Sequence, residues 1–258
     1  MKKIELYDKI TILEREVTLL RKRTRMIIRL RSEYGGLGDH LQFSTLPELF
    51  TKAGHDVYLH NGVVCRNHEV KELIYNKNHF ILGENAGDWN AGDCPEIKYK
   101  NTHEDFIKNW EHANGLTATN SFPKIYYKPE TVENIEGLIE LSSISLKYGS
   151  NEVATIVKDI IAQNPNINWK QLTTKMQQNE ILIEGIEKVL AENIYQTIDY
   201  INSCTHFVSL SSGSHMIAGA LRHHNTKFKQ TCLLPHYKYD DMMYLKHFIL
   251  PLVDYIRV

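Results

Sequence analysis

The run Tyr34-Gly-Gly-Leu-Gly-Asp39 sets a carboxylate, Asp39, in the mouth of a glycine turn. Gly35, Gly36 and Gly38 let backbone approach a ligand closely, and a helix that follows such a turn offers unpaired N–H groups to an anion. A carboxylate in that mouth repels phosphate, so Asp39 suits removal of a proton from a neutral hydroxyl better than phosphate binding. The other reading of Asp39 is a helix N-cap. Neither common nucleotide signature is present. After Gly36-Leu-Gly38 the place of the third dinucleotide glycine is held by Leu41, which disfavours nicotinamide binding, and no Lys follows the glycines as a phosphate loop requires.

A second run, Leu210-Ser-Ser-Gly-Ser-His-Met-Ile-Ala218, places Ser211, Ser212, Gly213 and Ser214 between an expected strand and an expected helix. Small residues in that position create a concave row of N–H groups suited to a diphosphate. His215 falls in the first turn of the helix, within reach of the same anion; its alternative is a packed structural histidine behind a Ser N-cap.

These runs need elements to hold them. Residues 26–31 read as a strand, His40–Ala53 as a helix closed by Gly54, and His55–Leu59 as a second strand, the βαβ opening of a doubly wound sheet. From Asn76 to Pro129 the pattern loosens into a long Asn-, Gly- and Asp-rich loop with one helix around Glu104–Asn114. Gly137–Ser143 begins a second strand series. Helices are expected at Glu152–Gln163, Trp169–Gln178, Asn193–Asn202 and Ser214–Arg222, with strands at Thr205–Leu210 and Lys229–Leu234. The expected division is a helix over residues 1–25, one lobe over 26–128 and a second over 129–258.

In the first segment Leu6, Ile10, Leu13, Val17 and Leu20 alternate spacings of four and three, the seam of a short coiled coil. Self-association through residues 6–20 and packing back onto the chain's own body both account for it. The basic end, Arg21 to Arg25, suits a helix C-terminus and would also allow peripheral contact with anionic lipid headgroups.

Bulk composition excludes more than it selects. Lys and Arg number 30 against 31 Asp and Glu, so charge gives no support to nucleic-acid binding. Hydrophobic residues make up 42% of the 258, ordinary for a globular chain, and no uncharged stretch approaches membrane-spanning length. The first residues lack a signal-peptide core. Cys65, Cys94, Cys204 and Cys232 lie far apart, without zinc-ligand spacing, which fits reduced thiols in a cytoplasmic protein and no metal site.

The run Tyr34–Leu49, behind its strand, resembles the opening of the heptosyltransferase family, in which a Gly-Asp is followed by a Thr-x-Pro helix; here the residues are Gly38-Asp39 and Thr45-Leu-Pro47. Ser211-Ser-Gly-Ser-His-Met-Ile-Ala218 is similar to that family's Asp-Ser-Gly…His-Leu-Ala element. It differs in having no Asp before Ser212-Gly213 and one residue fewer before the histidine. The resemblance implies an α/β fold of two Rossmann-like lobes facing a central cleft, the GT-B architecture. It also implies an inverting, metal-independent glycosyltransferase, part of polysaccharide or glycan synthesis, with a nucleotide-sugar donor as substrate and no further cofactor. Asp39 would be the general base toward a saccharide hydroxyl. Ser211, Ser212, Gly213, Ser214 and His215 would bind the donor, joined by Lys147, which stands where family members often hold a phosphate-binding lysine. The Gly-Gly-Leu-Gly run is also similar, more weakly, to GDP-fucose-dependent fucosyltransferases, which place Asn where Asp39 stands. Two rivals stand beside this reading: a non-catalytic nucleotide-sugar-binding or scaffold protein of the same fold, and a nucleotide-dependent epimerase.

Overall fold

Period-two burial makes Ile27–Arg31 a strand, β1, with Ile28 and Leu30 turned into the core. In this computed structural model the described residues are 25–92, 106–143, 148–175, 179–225, 228–234 and 249–258. The heptad-like stripe of residues 6–20 and the candidate Lys147 lie outside them.

After β1 the chain forms α1 (Leu37–Leu41), α2 (Leu46–Lys52) and β2 (Asp56–His60). The single helix expected over His40–Ala53 is therefore two. Pro47, in the first turn of α2, has no N–H to continue α1, and the Ser44 hydroxyl bonds back to the Leu41 carbonyl at 2.8 Å. Next come α3 (His68–Lys71), which runs into a π-helical turn over Glu72–Asn76, and two short strands, β3 (Glu84–Asn85) and β4 (Ala91–Gly92). Helix α4 (Phe106–Ala113) precedes the long connection to the second sheet. That sheet is built from β5 (Gly137–Glu140), β6 (Trp169–Thr174), β7 (Glu187–Ala191), β8 (His206–Leu210), β9 (Lys229–Leu234) and β10 (Asp254–Arg257). Between them run α5 (Ser150–Gln163), α6 (Ile194–Ser203) and α7 (Gly213–Leu221).

Both sheets are parallel throughout. The first has the order β3-β2-β1-β4 and the second β10-β9-β8-β5-β6-β7. In each, the chain steps outward on one side of its first strand and then returns to the other side. The order thus reverses beside β1 in one sheet and between β5 and β8 in the other, and crevices at the carboxyl ends of such strands are where open α/β sheets hold ligands. Residues in β5 and β8 are buried without interruption, as central strands covered on both faces must be.

The segment Trp169–Gln178, expected to be a helix, begins instead with strand β6. Lys170, Gln171 and Leu172 favour helix locally, but β6 fills the place between β5 and β7, where pairing on both sides outweighs that preference. One apolar core is common to both sheets, taking in Leu30, Leu41 and Leu46 with Leu138, Phe207, Met216 and Ile217. A second lies on the opposite face of the larger sheet around Ile139, Leu141, Val153, Val157, Val208 and Leu233. Polar clamps tie the crossover down. Lys124 donates its N–H to the Ser44 hydroxyl at 2.8 Å and its ammonium pairs with Glu48, while Asp199 on α6 accepts from the Tyr127 hydroxyl at 3.0 Å and the Glu130 N–H at 2.9 Å.

Candidate functional site

Gly36 is the N-cap of α1, and Asp39, three residues on, folds its carboxylate back so that Oδ2 accepts the Gly36 N–H at 3.2 Å. A side-chain carbon at Gly36 would lie 2.6 Å from that oxygen, so only glycine leaves the carboxylate room. The other oxygen, Oδ1, faces the Gln42 amide at 3.4 Å. Asp39 is thus the acidic partner of a helix cap rather than the cap residue, is half-buried, and is held in one orientation by two donors. Gly35 accepts the Arg66 N–H at 2.8 Å, and the exposed Arg66 guanidinium reaches to 3.6 Å from the place of a Gly36 Cβ. Gly38 is buried within α1. Sequence reasoning had passed over Arg66, which enters the site through the β2–α3 loop.

At the second turn, Ser212 is the extended N-cap of α7, with no capping hydrogen bond from its side chain; its Oγ is buried and without a partner. The first intrahelical bond runs from the Met216 N–H to the Ser212 carbonyl at 3.3 Å, so the N–H groups of Gly213 and Ser214 precede the hydrogen-bonded ladder. The Ser211 N–H is already taken by the Leu233 carbonyl and the Tyr148 hydroxyl, both at 3.1 Å.

His215, in the first turn of α7, is packed inside the protein. Its ring is fully buried, with Nδ1 2.9 Å from the Gln230 amide and Nε2 3.4 Å from the Tyr255 hydroxyl. These contacts set the imidazole against Gln230 of β9 and Tyr255 of β10, the environment of a packed structural histidine.

Glu140, the last residue of β5, went unremarked in the sequence. It is fully buried; Oε1 accepts the Ser142 N–H at 3.0 Å and the Ser142 hydroxyl, the Ser214 hydroxyl also bonds to this carboxyl, and Oε2 has no partner. Burial pushes its carboxyl up to about 7, with the serine hydrogen bonds opposing and Glu180 adding to the rise. Directly across in the β5–β8 ladder stands Ser209, whose buried Oγ has no partner either. The only hint was an acid inside an otherwise apolar strand, Gly137-Leu-Ile-Glu-Leu141.

The two turns meet. A side-chain carbon at Gly213 would lie 3.1 Å from Cβ and 3.2 Å from Cδ2 of Leu37, the first residue of α1. The carboxyl-end loop of β1, with Asp39, therefore lies against the carboxyl-end loop of β8, with Ser212 to Ser214, and Glu140 underlies the second of these. Among the described residues no group of three or more His, Cys, Asp or Glu side chains is placed to hold a metal ion, and no helix is long and apolar enough to cross a membrane.

This arrangement of two parallel sheets meeting at their loop ends is similar to the fold of solved heptosyltransferase structures. No family model matches the chain, and no curated protein sequence does. Solved structures do match. A glycosyl transferase family 9 protein from Veillonella parvula DSM 2008 superposes with a TM-score of 0.58 at 9% identity, over 91% of this chain and 86% of its own. The E. coli ADP-heptose lps heptosyltransferase II gives 0.55 at 8% identity, over 90% of each chain. TibC from enterotoxigenic E. coli H10407, described as an iron-containing dodecameric glycosyltransferase, gives 0.53 at 11% identity over 82% of this chain. The present chain spans 58% of TibC's length. At such identities the likeness concerns the fold.

Proposed function

We propose that the protein is a glycosyltransferase that moves a sugar from a nucleotide-sugar donor to a hydroxyl of a glycan or other saccharide, with inversion. The observation that carries this is the contact of Leu37 with Gly213, which sets a carboxylate and a helix N-terminus against each other at the switch points of two parallel sheets. TibC has been crystallised with ADP-D-beta-D-heptose, and a heptosyl donor is our first choice for this chain, a fucosyl donor the second.

In this proposal the donor diphosphate seats at the start of α7, on the N–H groups of Gly213 and Ser214 and the Ser212 hydroxyl. Asp39 takes the proton from the acceptor hydroxyl as the acceptor oxygen bonds to the anomeric carbon. The bond from that carbon to the phosphate oxygen breaks on the opposite face, and the electron pair leaves with the nucleoside diphosphate. Fixed donors at α7 stabilise the charge that develops there, so the proposed transfer requires no metal. Arg66, beside the turn, would hold a negative group on the acceptor.

A thermal-shift panel of ADP-heptose, GDP-fucose and the free nucleoside diphosphates tests the donor assignment. A ligand at 100 times its dissociation constant adds about 2.7 kcal/mol to stability. A shift selective for one nucleotide names the base. Absence of any shift, together with no transfer, returns the choice to a scaffold without catalysis, a reading favoured by the internal use of the Ser211 N–H.

A further inference from the structure

The donors at the crevice between β5 and β8 are already engaged by an internal acid. Glu140 holds the Ser142 N–H, the Ser142 hydroxyl and the Ser214 hydroxyl through its carboxyl, while its Oε2, with Ser209 Oγ and Ser212 Oγ, is buried and unpartnered. Ser214 belongs to the helix start on which the diphosphate is proposed to seat, and Ser142 follows the end of the adjoining strand. A buried carboxylate here repels a diphosphate seated on the neighbouring N–H groups of Gly213 and Ser214, and it withholds the Ser142 and Ser214 hydroxyls from that diphosphate.

We propose that Glu140 is the proton-linked positioning residue of the donor site, so that a nucleotide sugar binds together with one proton taken up on the Glu140 carboxyl. This rests on the glycosyltransferase reading. The proton goes to Oε2, the oxygen without a protein partner. Neutral Glu140 then frees the Ser142 and Ser214 hydroxyls to turn toward phosphate.

The surroundings agree with this. Strand β8 brings Ser209 beside Glu140, and α7 brings Ser214. Among the described residues the charged group that acts on Glu140 is another acid, Glu180, which forms an isolated antiparallel bridge with Ser142 and whose Oε1 is also buried without a partner. Lys188 bears on Glu180. Burial and Glu180 both favour the neutral form, and the unliganded carboxyl titrates near neutrality. An arriving diphosphate raises it further, which is the thermodynamic condition for proton uptake on binding.

Titration calorimetry of the full chain with ADP-heptose and with GDP-fucose tests it, because the diphosphate of a nucleotide sugar does not itself titrate near neutrality. The measurement runs from about pH 6 to about pH 8.5 in pairs of buffers differing in ionisation enthalpy, so that the heat difference counts protons. The expected result is uptake approaching one proton per ligand above neutrality, with affinity falling by up to about tenfold per pH unit, and neither effect in Glu140→Gln. Equal affinity across the range with no buffer-dependent heat overturns the inference and leaves the donor reading standing. The same pH slope in Glu140→Gln overturns it as well. Binding of neither nucleotide sugar at any pH overturns both. If Glu140→Gln does not fold, the proton count on the unmodified protein still decides.

Discussion

Leu37, the first residue of α1, packs on Gly213, the first residue of α7, so closely that a side-chain carbon at Gly213 would stand 3.1 Å from the Leu37 Cβ. The glycine turn after β1 and the serine turn after β8 meet at this contact, although more than 170 residues separate them in the chain.

Enlarging Gly213 strains that contact. Gly213→Val is expected to cost about 1–3 kcal/mol, the usual penalty for overpacking, and to weaken nucleotide binding at the displaced helix start. Adding Leu37→Ala removes the obstructing side chain, so the double variant should recover much of the loss. Urea denaturation of the two singles and the double measures the coupling; strictly additive effects would refute the contact.

Asp39→Asn separates chemistry from capping. The amide oxygen can still accept the Gly36 N–H, so the melting temperature should change little, while transfer should fall by about 10²- to 10⁴-fold, the range of general-base contributions. Asp39→Ala removes the cap as well and should cost about 0.5–2 kcal/mol in addition. An Asn variant with unimpaired transfer would reduce Asp39 to a structural role.

Glu140 makes stability depend on pH with a defined sign. Its carboxyl is raised in the folded chain, from an ordinary 4.5 to about 7, so the folded state holds the proton more tightly than the unfolded state. The favourable contribution is complete below the unfolded value and is lost as pH rises through that interval, at up to about 1.4 kcal/mol per pH unit. Glu140→Gln cannot ionise. Its stability relative to the unmodified protein should therefore rise between those two values and level off above them, as read from denaturation midpoints at each pH.

His215 is expected to matter for folding and not for the donor. His215→Ala opens a cavity and strips Gln230 and Tyr255 of a partner, a loss of about 2–4 kcal/mol. Nucleotide-sugar affinity, measured on the fraction that remains folded, should be unchanged. A large drop in affinity at unchanged stability would restore His215 to the site.

Much of the fold can be read locally. The alternation in β1, the glycine that ends α2 and the small-residue turn into α7 each depend on neighbours within a few residues, so periodicity and turn chemistry reveal them. Strand β6 could not be read that way, because its helix-favouring residues become a strand only between β5 and β7. Strands β3 and β4, two residues each, leave no periodic trace. The candidate site divides along the same line. Both glycine- and serine-rich turns are visible as sequence, but Glu140 is visible only as an odd acid in an apolar run, and Arg66 as a loop residue.

By itself, then, the sequence determined the parallel α/β character, the two turns and the carboxylate at Asp39, since these follow from local spacing and side-chain chemistry. Only the tertiary structure decided which groups act together. It turned His215 inward onto Gln230 and Tyr255, brought Leu37 onto Gly213, and buried Glu140 beneath Ser214. Burial and long-range contact set the protonation and partners of a side chain, and both depend on residues that the sequence keeps far apart.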